Sequence, residues 1–586
     1  MNTGSPDGAP SDLLEGGAPS PPGGRGEARF PEHVPTARLW LAGAAYAILI
    51  ATVYAYGSYA APLTEPDETR YAEIAREMLV RGDWVTPHLN FVKYFEKPPL
   101  VYWGTAAAFV AFGVGELSAR LPSLLSAIAT IALTVWLAAR MYGASTALLA
   151  LPIIAVGPLF GLMAQTLVLD TSLTFCVTLA MVGVWLGFAS SVAAPTARAR
   201  RPRSAMYRVA YAATALAVLV KGPVAAVLVG ASALLFLALH GGWRVVRPAL
   251  DWRGFALAAA IVLPWFIVVS WRNPEFLHFF VVDQHIARYL WTTEHGEPIW
   301  FFVPVIPLAL APWGLAVLLD PPLLRAALAP RAWSVPSRFL IIWAALIVGF
   351  FSLSTSKLLT YVLPAMPPLA ILTARALLLG IEQGRTAGVA RLSWGLLIIG
   401  PLMSLCGAVL PFFVTHWRMP AVTPYLIAGG PLLLATGWST RRALAGGRSY
   451  AALAALSVGW LAIFAVAAAG RGVANQYKEL GLALRAAATP EDRVAMYASF
   501  THGVAFYAER RVIMLRSWGE LKFGSQQGEQ SDWFWPSLDD LRREWAAPGR
   551  LFVVINRKDF DGLDPPLQPA PTVVAAQGRK LVVVNR

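Results

Sequence analysis

Residues 66–78 read PDETRYAEIAREM, and residues 94–99 read YFEKPP. These two stretches form a polar island among long apolar segments, directly after a first hydrophobic span at 38–60. They place carboxylates and cations beside a membrane, where ionisable groups are costly to keep and usually serve a function. Because both signs of charge cluster there, the island is suited to a site that handles an anionic, lipid-linked substrate.

The composition indicates a polytopic membrane protein. Of the 586 residues, 56% are hydrophobic and 14% are charged, whereas soluble domains carry about a quarter charged residues. About thirteen apolar runs are candidate transmembrane helices. They lie near 38–60, 119–139, 144–162, 170–189, 207–221, 223–240, 254–271, 299–319, 338–355, 358–379, 392–414, 421–438 and 450–470. The predicted fold is therefore mostly α.

The net charge of +14 does not indicate a nucleic-acid-binding protein. Most arginines lie in short loops between apolar runs, and an excess of basic residues is typical of cytoplasmic loops. The two cysteines, Cys176 and Cys406, lie in separate apolar segments. Neither a disulfide framework nor a cysteine-based metal site is therefore expected.

The arginines also predict the orientation in the membrane. If the apolar stretch 99–114 lies on the outer surface and does not cross, every arginine-bearing, acid-poor loop falls on the cytoplasmic side. Residues 60–118 then form one external loop with surface-lying helices. Residues 1–37, rich in Gly, Pro and Ser, are expected to be a disordered cytoplasmic tail. Six basic residues fall on the outer side, against this cytoplasmic excess, and are candidates to bind a negatively charged group there: Arg70, Lys93, Lys97, Lys221, Arg288 and Lys357.

The last segment, 471–586, differs from the rest in composition. Strand-like runs at 493–497, 551–555 and 581–584 alternate with helix-like stretches. This alternation predicts a small, soluble α/β domain. A chain that starts in the cytoplasm and crosses the membrane thirteen times ends outside, so the domain is expected on the outer side.

Residues 67–81 are predicted to form an amphipathic helix that lies flat on the membrane. Its apolar stripe consists of Tyr71, Ile74, Ala75, Met78 and Leu79. Asp67 follows Pro66 and can cap the helix, and Asp67 and Arg70 share a face at its start. A capping aspartate with an exposed ion pair is the alternative to a functional role.

Three more charged residues have both a functional and a structural interpretation. Lys97 precedes two prolines, which hold it on an extended backbone suited to a fixed phosphate contact, although a lysine that snorkels at the interface fits as well. Asp170 begins a span and is either an N-cap or a site residue. Lys221 ends a helix, where a cation is favoured by the helix dipole alone.

Two later segments add candidates. In FFVVDQHIARYLW (279–291), His285 and Arg288 share a face, although a lone histidine is more often structural than a ligand. In STSKLLTYVLP (354–364), Lys357 and Tyr361 are predicted to lie one helical turn apart and to face the same way. A tyrosine at this level is ordinarily an interface anchor.

Together these motifs resemble the bacterial aminoarabinose transferase family, which belongs to the GT-C glycosyltransferases and is related to protein O-mannosyltransferases. DETRYAEIAREML, GDW, YFEKPPLVYW and ELSARLPS read like the family consensus, and SKLLTYVLP matches its later outer-face segment. The likeness covers residues 38–470 and is strongest in 65–125. It implies a GT-C transmembrane catalytic domain over 38–470, thirteen spans, and a periplasmic domain over 471–586.

The resemblance also implies an activity. Such an enzyme of the bacterial inner membrane moves 4-amino-4-deoxy-L-arabinose from undecaprenyl phosphate to lipid A on the periplasmic face, in contact with membrane lipids, a modification linked to polymyxin resistance. The alternatives are transfer of another polyprenyl-phosphate sugar (galactosamine, mannose or glucose) to a lipid or protein, and a transporter of lipid-linked sugars. A transporter is expected to show internal repeats and midplane charges, and this sequence shows no convincing repeat.

Roles for individual residues follow from the resemblance, motif by motif. The expected catalytic residues are Asp67, Glu96 and Asp170. Those expected to hold the lipid phosphate or line the same cavity are Arg70, Lys97, Lys221, Arg288, Lys357 and Tyr361. Glu96 and His285 are the expected ligands of a divalent metal (Zn, Mg or Mn). If the acceptor is a lipid A phosphate, Asp67 orients the nucleophile or stabilises cationic character at the sugar carbon, whereas a hydroxyl acceptor makes it a general base.

Overall fold

The computed structural model describes residues 36–193, 200–287, 289, 296–413, 419–473, 476–528 and 530–586. The predicted tail, except for its last two residues, lies outside these ranges, and so does Arg288. The described part is mostly helical, with one sheet near the C-terminus. The predicted fold class is thereby confirmed.

The N-terminal four-fifths of the chain is a bundle of helices. In chain order they are α1 (Thr36–Ala60), α2 (Asp67–Arg81), α3 (Leu100–Phe112), α4 (Glu116–Tyr142), α5 (Ala144–Val156), α6 (Pro158–Met163), α7 (Leu169–Ala193), α8 (Arg200–Lys221), α9 (Val224–Ala249), α10 (Trp252–Arg272), α11 (Phe302–Ala309), α12 (Trp313–Leu318), α13 (Pro321–Leu328), α14 (Val335–Leu353), α15 (Met366–Glu382), α16 (Ala387–Phe413), α17 (Met419–Ala445) and α18 (Ser449–Ala469). A π-helix covers His278–Ala287, and 3₁₀ turns cover Pro330–Ala332, Leu359–Ala365 and Gly470–Val473.

Within the described ranges, eight helical segments are long and apolar enough to cross a membrane. The protein is thus a polytopic membrane protein, while the count of about thirteen spans stays a prediction. Two predicted spans are divided in the structure. Gly157 separates α5 from α6 within 144–162, and within 299–319 a break before Trp313 separates α11 from α12. Pro312 stands at this second break, where its missing N–H prevents it from continuing the preceding helix.

Helix α3 is too short to cross. Its 13 residues span about 20 Å, less than the roughly 30 Å of a bilayer core. It packs on α2 and α4. The predicted surface helix at 99–114 is therefore present as a helix, and its side of the membrane stays a prediction.

The C-terminal part is an α/β unit built on a six-stranded sheet. A small hairpin in the loop after α2 supplies β1 (His88–Leu89) and β2 (Val92–Lys93), and the sheet itself consists of β3 (Arg493–Tyr497), β4 (Ile513–Leu515), β5 (Phe534–Trp535), β6 (Leu551–Asn556), β7 (Thr572–Gln577) and β8 (Lys580–Val584). The strand order is β5-β4-β3-β6-β8-β7, with the first four strands parallel and β8 antiparallel to both its neighbours. The helices are α19 (Lys478–Ala487), α20 (His502–Ala508), α21 (Lys522–Ser525), α22 (Leu538–Ala546) and α23 (Arg557–Asp561), with 3₁₀ turns at Gly519–Leu521 and Ser531–Trp533.

Helix α2 lies between these two parts, and its orientation relative to the membrane stays a prediction. Its apolar stripe is buried against protein, with Ile74 and Ala75 fully inaccessible, and it packs on α3 and on α20. The acids Glu68, Glu73 and Glu77 on other faces are buried too. The prediction that Asp67 caps the helix is wrong, since Pro66 holds the N-cap position and no side-chain capping bond is formed at this end of α2 in the described chain.

The C-terminal unit docks directly on the segments that precede and follow α2. The side-chain amide of Asn90 exchanges two hydrogen bonds of 2.8 Å with the backbone of Val512. The hydroxyl of Tyr507 accepts a 2.9 Å bond from the backbone of Leu63. Gly524 packs so closely on β2 that a Cβ there would lie 2.5 Å from a backbone oxygen. The two parts therefore share one tightly packed interface around α2.

Candidate active site

A cavity of about 440 Å³ lies where the first turns of α2 and α7, the end of α8 and the 3₁₀ turn before α15 meet. Eight of the ten predicted site residues line it: Asp67, Arg70, Glu96, Lys97, Asp170, Lys221, His285 and Tyr361. They come from separate parts of the chain, so only the fold brings them together. The rest of the wall is mostly apolar, including Val224, Val227, Phe350 and Phe351.

The first turn of α2 presents a carboxylate and a guanidinium to this cavity. The Asp67 side chain is 56% exposed, and its Oδ1 lies 3.4 Å from Nη1 of Arg70. Arg70 is largely buried, with 16% of its side chain exposed. Because α2 is packed on several sides, both groups sit on a rigid element.

Glu96 and Lys97 follow the β-hairpin on a non-helical backbone, as the two prolines predict. Both are half-buried. The ammonium of Lys97 donates a 3.1 Å hydrogen bond to the backbone carbonyl of Glu96. This segment holds a second cation beside the Asp67–Arg70 pair.

A third cation is contributed by the C-terminal residue of α8. The ammonium of Lys221 pairs with Oδ1 of Asp170 in the first turn of α7, and it lies 4.5 Å from the centre of the Tyr361 ring. A cation over an aromatic face is stabilised by the ring quadrupole. The next residue, Gly222, has φ +89°, in the left-handed region that ends α8. The carboxylate and the ring thus fix the ammonium at the cavity wall.

His285 lies in the π-helix, and its ring sits against Gly222, the residue that follows Lys221. Its Nδ1 is hydrogen-bonded to the backbone oxygen of Phe280 at 2.6 Å. A metal-bound histidine typically uses its second ring nitrogen in this way, so the geometry is compatible with a ligand role. Among the residues that the structure describes, however, no three His, Cys, Asp or Glu side chains are grouped to hold a metal ion. The divalent metal at Glu96 and His285 therefore stays a prediction.

Of the predicted site residues that the structure describes, Lys357 does not join the cavity lining. Lys357 is 5% exposed, and its ammonium donates to the backbone oxygens of Ser354 (2.6 Å) and Glu297 (2.7 Å). It precedes the 3₁₀ turn that carries Tyr361, so the prediction that the two lie one helical turn apart on one face is wrong. Lys357 instead holds the chain together behind the cavity. Arg288 lies outside the described residues.

Sequence reasoning missed two residues behind Arg70. Nε of Arg70 lies 2.8 Å from Oε2 of Glu520, in the C-terminal unit. The other oxygen of Glu520 is bonded to Nε2 of His502, whose Nδ1 lies 3.2 Å from Oε2 of Glu65. No motif marks Glu520 or His502, and more than 400 positions separate both from Arg70. Only the docking of the two parts reveals the contact.

These charges perturb one another. Burial alone would lower the pKa of His502, but hydrogen bonds to Glu520 and Glu65 and their negative charges raise it to about 9. Burial would raise the pKa of Glu520, but the hydrogen bond and charge of His502, together with the charge of Arg70, lower it. Near neutral pH, Arg70, Glu520 and His502 therefore form a row of charges of alternating sign.

Comparison with known proteins gives concordant matches for both parts of the chain. Residues 40–280 match the dolichyl-phosphate-mannose-protein mannosyltransferase family, and residues 480–586 match the aminoarabinose transferase C-terminal domain. The undecaprenyl phosphate-α-4-amino-4-deoxy-L-arabinose arabinosyl transferase of Pectobacterium carotovorum is 32% identical, covering 67% of this chain and 69% of its own length. The transferase of the same name from Pseudomonas aeruginosa is 34% identical over 57% of this chain, and the match spans 59% of that protein.

Solved structures agree with these matches. ArnT from Cupriavidus metallidurans, in the crystal structure bound to undecaprenyl phosphate, superposes with a TM-score of 0.80 at 28% identity, over 94% of this chain and 99% of that one. The archaeal oligosaccharyltransferase AglB from Archaeoglobus fulgidus shares the fold alone, with a TM-score of 0.52 at 13% identity over 89% and 70% of the two chains. The chain therefore belongs to the family of undecaprenyl phosphate-α-4-amino-4-deoxy-L-arabinose arabinosyl transferases.

Proposed function

We propose that this protein is a glycosyltransferase of the bacterial inner membrane. It moves 4-amino-4-deoxy-L-arabinose from undecaprenyl phosphate to a phosphate of lipid A on the periplasmic face. The observation that carries the proposal is the convergence of Asp67, Arg70, Lys97 and the Asp170–Lys221 pair on one cavity. The family's names, and undecaprenyl phosphate bound to the Cupriavidus relative, supply the donor class.

The cations of the cavity account for the donor end of the reaction. When the bond between the sugar carbon and the phosphate oxygen breaks, the leaving group is undecaprenyl phosphate, and its negative charge grows. Arg70, Lys97 and Lys221 are held in a partly apolar cavity, where fixed cations stabilise developing charge better than water does. The planar guanidinium of Arg70 suits a two-oxygen contact, while the lysines act as point charges.

The carboxylate of Asp67 acts where the acceptor attacks the sugar. An oxygen of the lipid A phosphate attacks the sugar carbon and forms the new bond as the old one breaks, with inversion at that carbon. That acceptor oxygen is already ionised near neutral pH, so the step needs no strong base. Asp67, half-exposed at the cavity, then orients the sugar and stabilises the positive character that develops at its reacting carbon.

The predicted metal has no part in this scheme. Glu96 and His285 supply only two of the ligands that a protein zinc site ordinarily provides. They are proposed as ligands of a divalent cation, and no step is routed through it. Loss of activity on chelation, with recovery on adding Zn²⁺, Mn²⁺ or Mg²⁺, is the expected result if they hold one.

Mass spectrometry of lipid A from cells with and without the gene tests the proposed function. The expected result is loss of a species heavier by one aminopentose residue when the gene is deleted, and its return with the wild-type gene. Loss of a different mass increment would assign another sugar. Unchanged lipid A would contradict the acceptor and favour a hydroxyl acceptor, with Asp67 as a general base.

A further inference from the structure

We propose that Glu520 and His502 of the C-terminal unit are positioning residues that hold Arg70 and Asp67 in place for sugar transfer. The inference rests on the proposed function and adds a role for the C-terminal unit. Neither Glu520 nor His502 lines the cavity, so both act through the residues they touch.

Arg70 is held from two sides. One side is the carboxylate of Asp67, 3.4 Å away, and the other is Glu520, 2.8 Å away. The hydroxyl of Tyr94, in the loop that leads to Lys97, also donates a 3.4 Å bond to Glu520. The contact with Glu520 is an ion pair, since Nε of Arg70 makes no hydrogen bond in the described structure. The charges of the two carboxylates restrict how far the guanidinium between them can turn.

His502 connects the same carboxylate to the chain just before Asp67. Its two ring nitrogens face Glu520 and Glu65, and the backbone N–H of Gly503 donates to the second oxygen of Glu65. An ionised carboxylate only accepts hydrogen bonds, so both ring nitrogens must donate and the ring is an imidazolium. Glu65 lies two residues before Asp67, so this contact fixes the turn that begins α2.

Burial restricts the motion of these charged side chains. The side chains of His502 and Glu65 are 5% and 7% exposed, and the ring of Phe500 packs edge-on against the imidazole. Lys580, at the start of β8, adds a positive charge near Glu65. Charges buried together in a low-dielectric site interact strongly, and the loss of one leaves its partners uncompensated.

The consequence is that the C-terminal unit contributes to catalysis without touching substrate. If Glu520 loses its charge, Arg70 keeps its own charge but loses one of the two groups that aim it. Misplacement by about 1 Å can cost on the order of 100-fold in rate. Donor binding tolerates such a shift better than the transition state, because the leaving phosphate gains charge only as the bond breaks.

The test compares two isosteric variants of the purified full-length protein, Glu520→Gln and Glu544→Gln. Glu544 is the matched control, since it pairs with Arg493 at 2.6 Å in the same unit, at a partly exposed position, and takes no part in the ion pair of Arg70. The measurement is kcat and KM for undecaprenyl-phosphate aminoarabinose with lipid A as acceptor, together with the thermal unfolding temperature. His502→Gln serves as a second positioning variant if Glu520→Gln fails to fold.

The expected result is a kcat lowered about 10- to 100-fold in Glu520→Gln and in His502→Gln, with a smaller change in KM and a folded protein. Glu544→Gln should match the wild type. A wild type that transfers sugar, with Glu520→Gln as active as Glu544→Gln, would overturn the positioning role alone. A folded wild type that transfers no sugar would overturn the proposed function, and the positioning role with it.

Discussion

The guanidinium of Arg120 and the carboxylate of Glu68 form a two-point ion pair with no solvent access to either side chain. Nε lies 2.7 Å from Oε1 and Nη2 lies 2.8 Å from Oε2. Glu68 also accepts from the backbone of Leu167 at 2.8 Å, and Arg120 also donates to the carbonyl of Ser58 at 2.8 Å. Burial would raise the pKa of Glu68, but Arg120 lowers it to about 2. One buried pair thus joins the end of α1, the start of α2, α4 and the loop that leads to Asp170.

Arg120→Met should therefore destabilise the protein strongly. The change leaves a buried carboxylate unpaired, which costs about 3–5 kcal/mol. Thermal unfolding in detergent measures the loss. The matched control is Arg485→Met, since Arg485 pairs with Glu509 at 2.6 Å on the surface, where a pair contributes less than about 1 kcal/mol. Equal unfolding temperatures for the two variants would contradict the structural role of Arg120.

Much of the fold could be predicted from sequence because membrane helices and buried strands have strong local signals. The strands predicted at 493–497, 551–555 and 581–584 are present as β3, β6 and β8. The strands β4 and β5 were missed because they are only three and two residues long, and β7 was missed because its six residues, TVVAAQ, are exposed or half-buried and do not form a continuous apolar run. The burial of α2 was missed as well, since an apolar stripe shows that a face is covered but not whether lipid or protein covers it.

Only the site residues that lie in recognisable sequence motifs could be predicted. The resemblance to a family identified Asp67, Arg70, Glu96 and Lys97, and the structure places all four on one cavity. Charge composition could not separate site residues from structural ones. Glu68, next to Asp67 in the same motif, is a buried structural partner. Non-local partners such as Glu520 leave no local signal, since their contact depends on how two units dock.

The Lys221–Asp170 pair allows binding to be separated from stability. Lys221→Met removes a proposed phosphate contact and leaves the carboxylate of Asp170, 12% exposed, without its cation. The double variant Lys221→Met/Asp170→Asn removes that buried charge as well, so it should recover most of the unfolding temperature. Affinity for undecaprenyl phosphate should stay at least tenfold weaker in both, since a charge-assisted hydrogen bond contributes about 1.5–3 kcal/mol.

Titration of the purified proteins with undecaprenyl phosphate measures these affinities. A double variant that binds the lipid phosphate as tightly as the wild type would remove Lys221 from the binding site. A double variant less stable than Lys221→Met would show that the carboxylate has another favourable partner in the fold.

Gly222→Ala should impair the site without changing any charge. Gly222 has φ +89°, and a Cβ there would lie 2.4 Å from Nε2 of His285. An L-residue in the left-handed region costs about 1–2 kcal/mol, and the methyl group must also push the imidazole away. A fall in kcat is expected. The control is Gly230→Ala in α9, where a Cβ meets nothing within 4 Å. Equal activity in the two variants would show that His285 can move at no cost.

The docking of the C-terminal unit should weaken at alkaline pH. The pKa of His502 is raised from 6.5 to about 9, because its bonds to Glu520 and Glu65 outweigh burial. A group whose pKa is higher in the folded state stabilises it fully below the unfolded-state value, and that stability is lost as pH rises through the folded-state value. The loss therefore falls between pH 6.5 and about 9.

Thermal unfolding at about pH 6 and about pH 9.5 tests this effect of His502. The wild type should lose a few degrees more than His502→Gln over that interval. The variant is the control for every other group that titrates there. Parallel curves for the two proteins would show that His502 is not an imidazolium in the folded state.

Asp67→Asn should separate folding from chemistry most cleanly. The Asp67 side chain is 56% exposed and makes no capping bond within the described part of α2, so its replacement by an amide should change the free energy of unfolding by no more than about 0.5 kcal/mol. Undecaprenyl phosphate should bind at least as well, since a negative charge 3.4 Å from Arg70 is removed. Sugar transfer should fall at least 100-fold, because the neutral amide cannot stabilise positive charge at the reacting carbon. Lipid A mass spectrometry and donor titration on the same variant measure both quantities, and wild-type transfer by folded Asp67→Asn would remove this carboxylate from the mechanism.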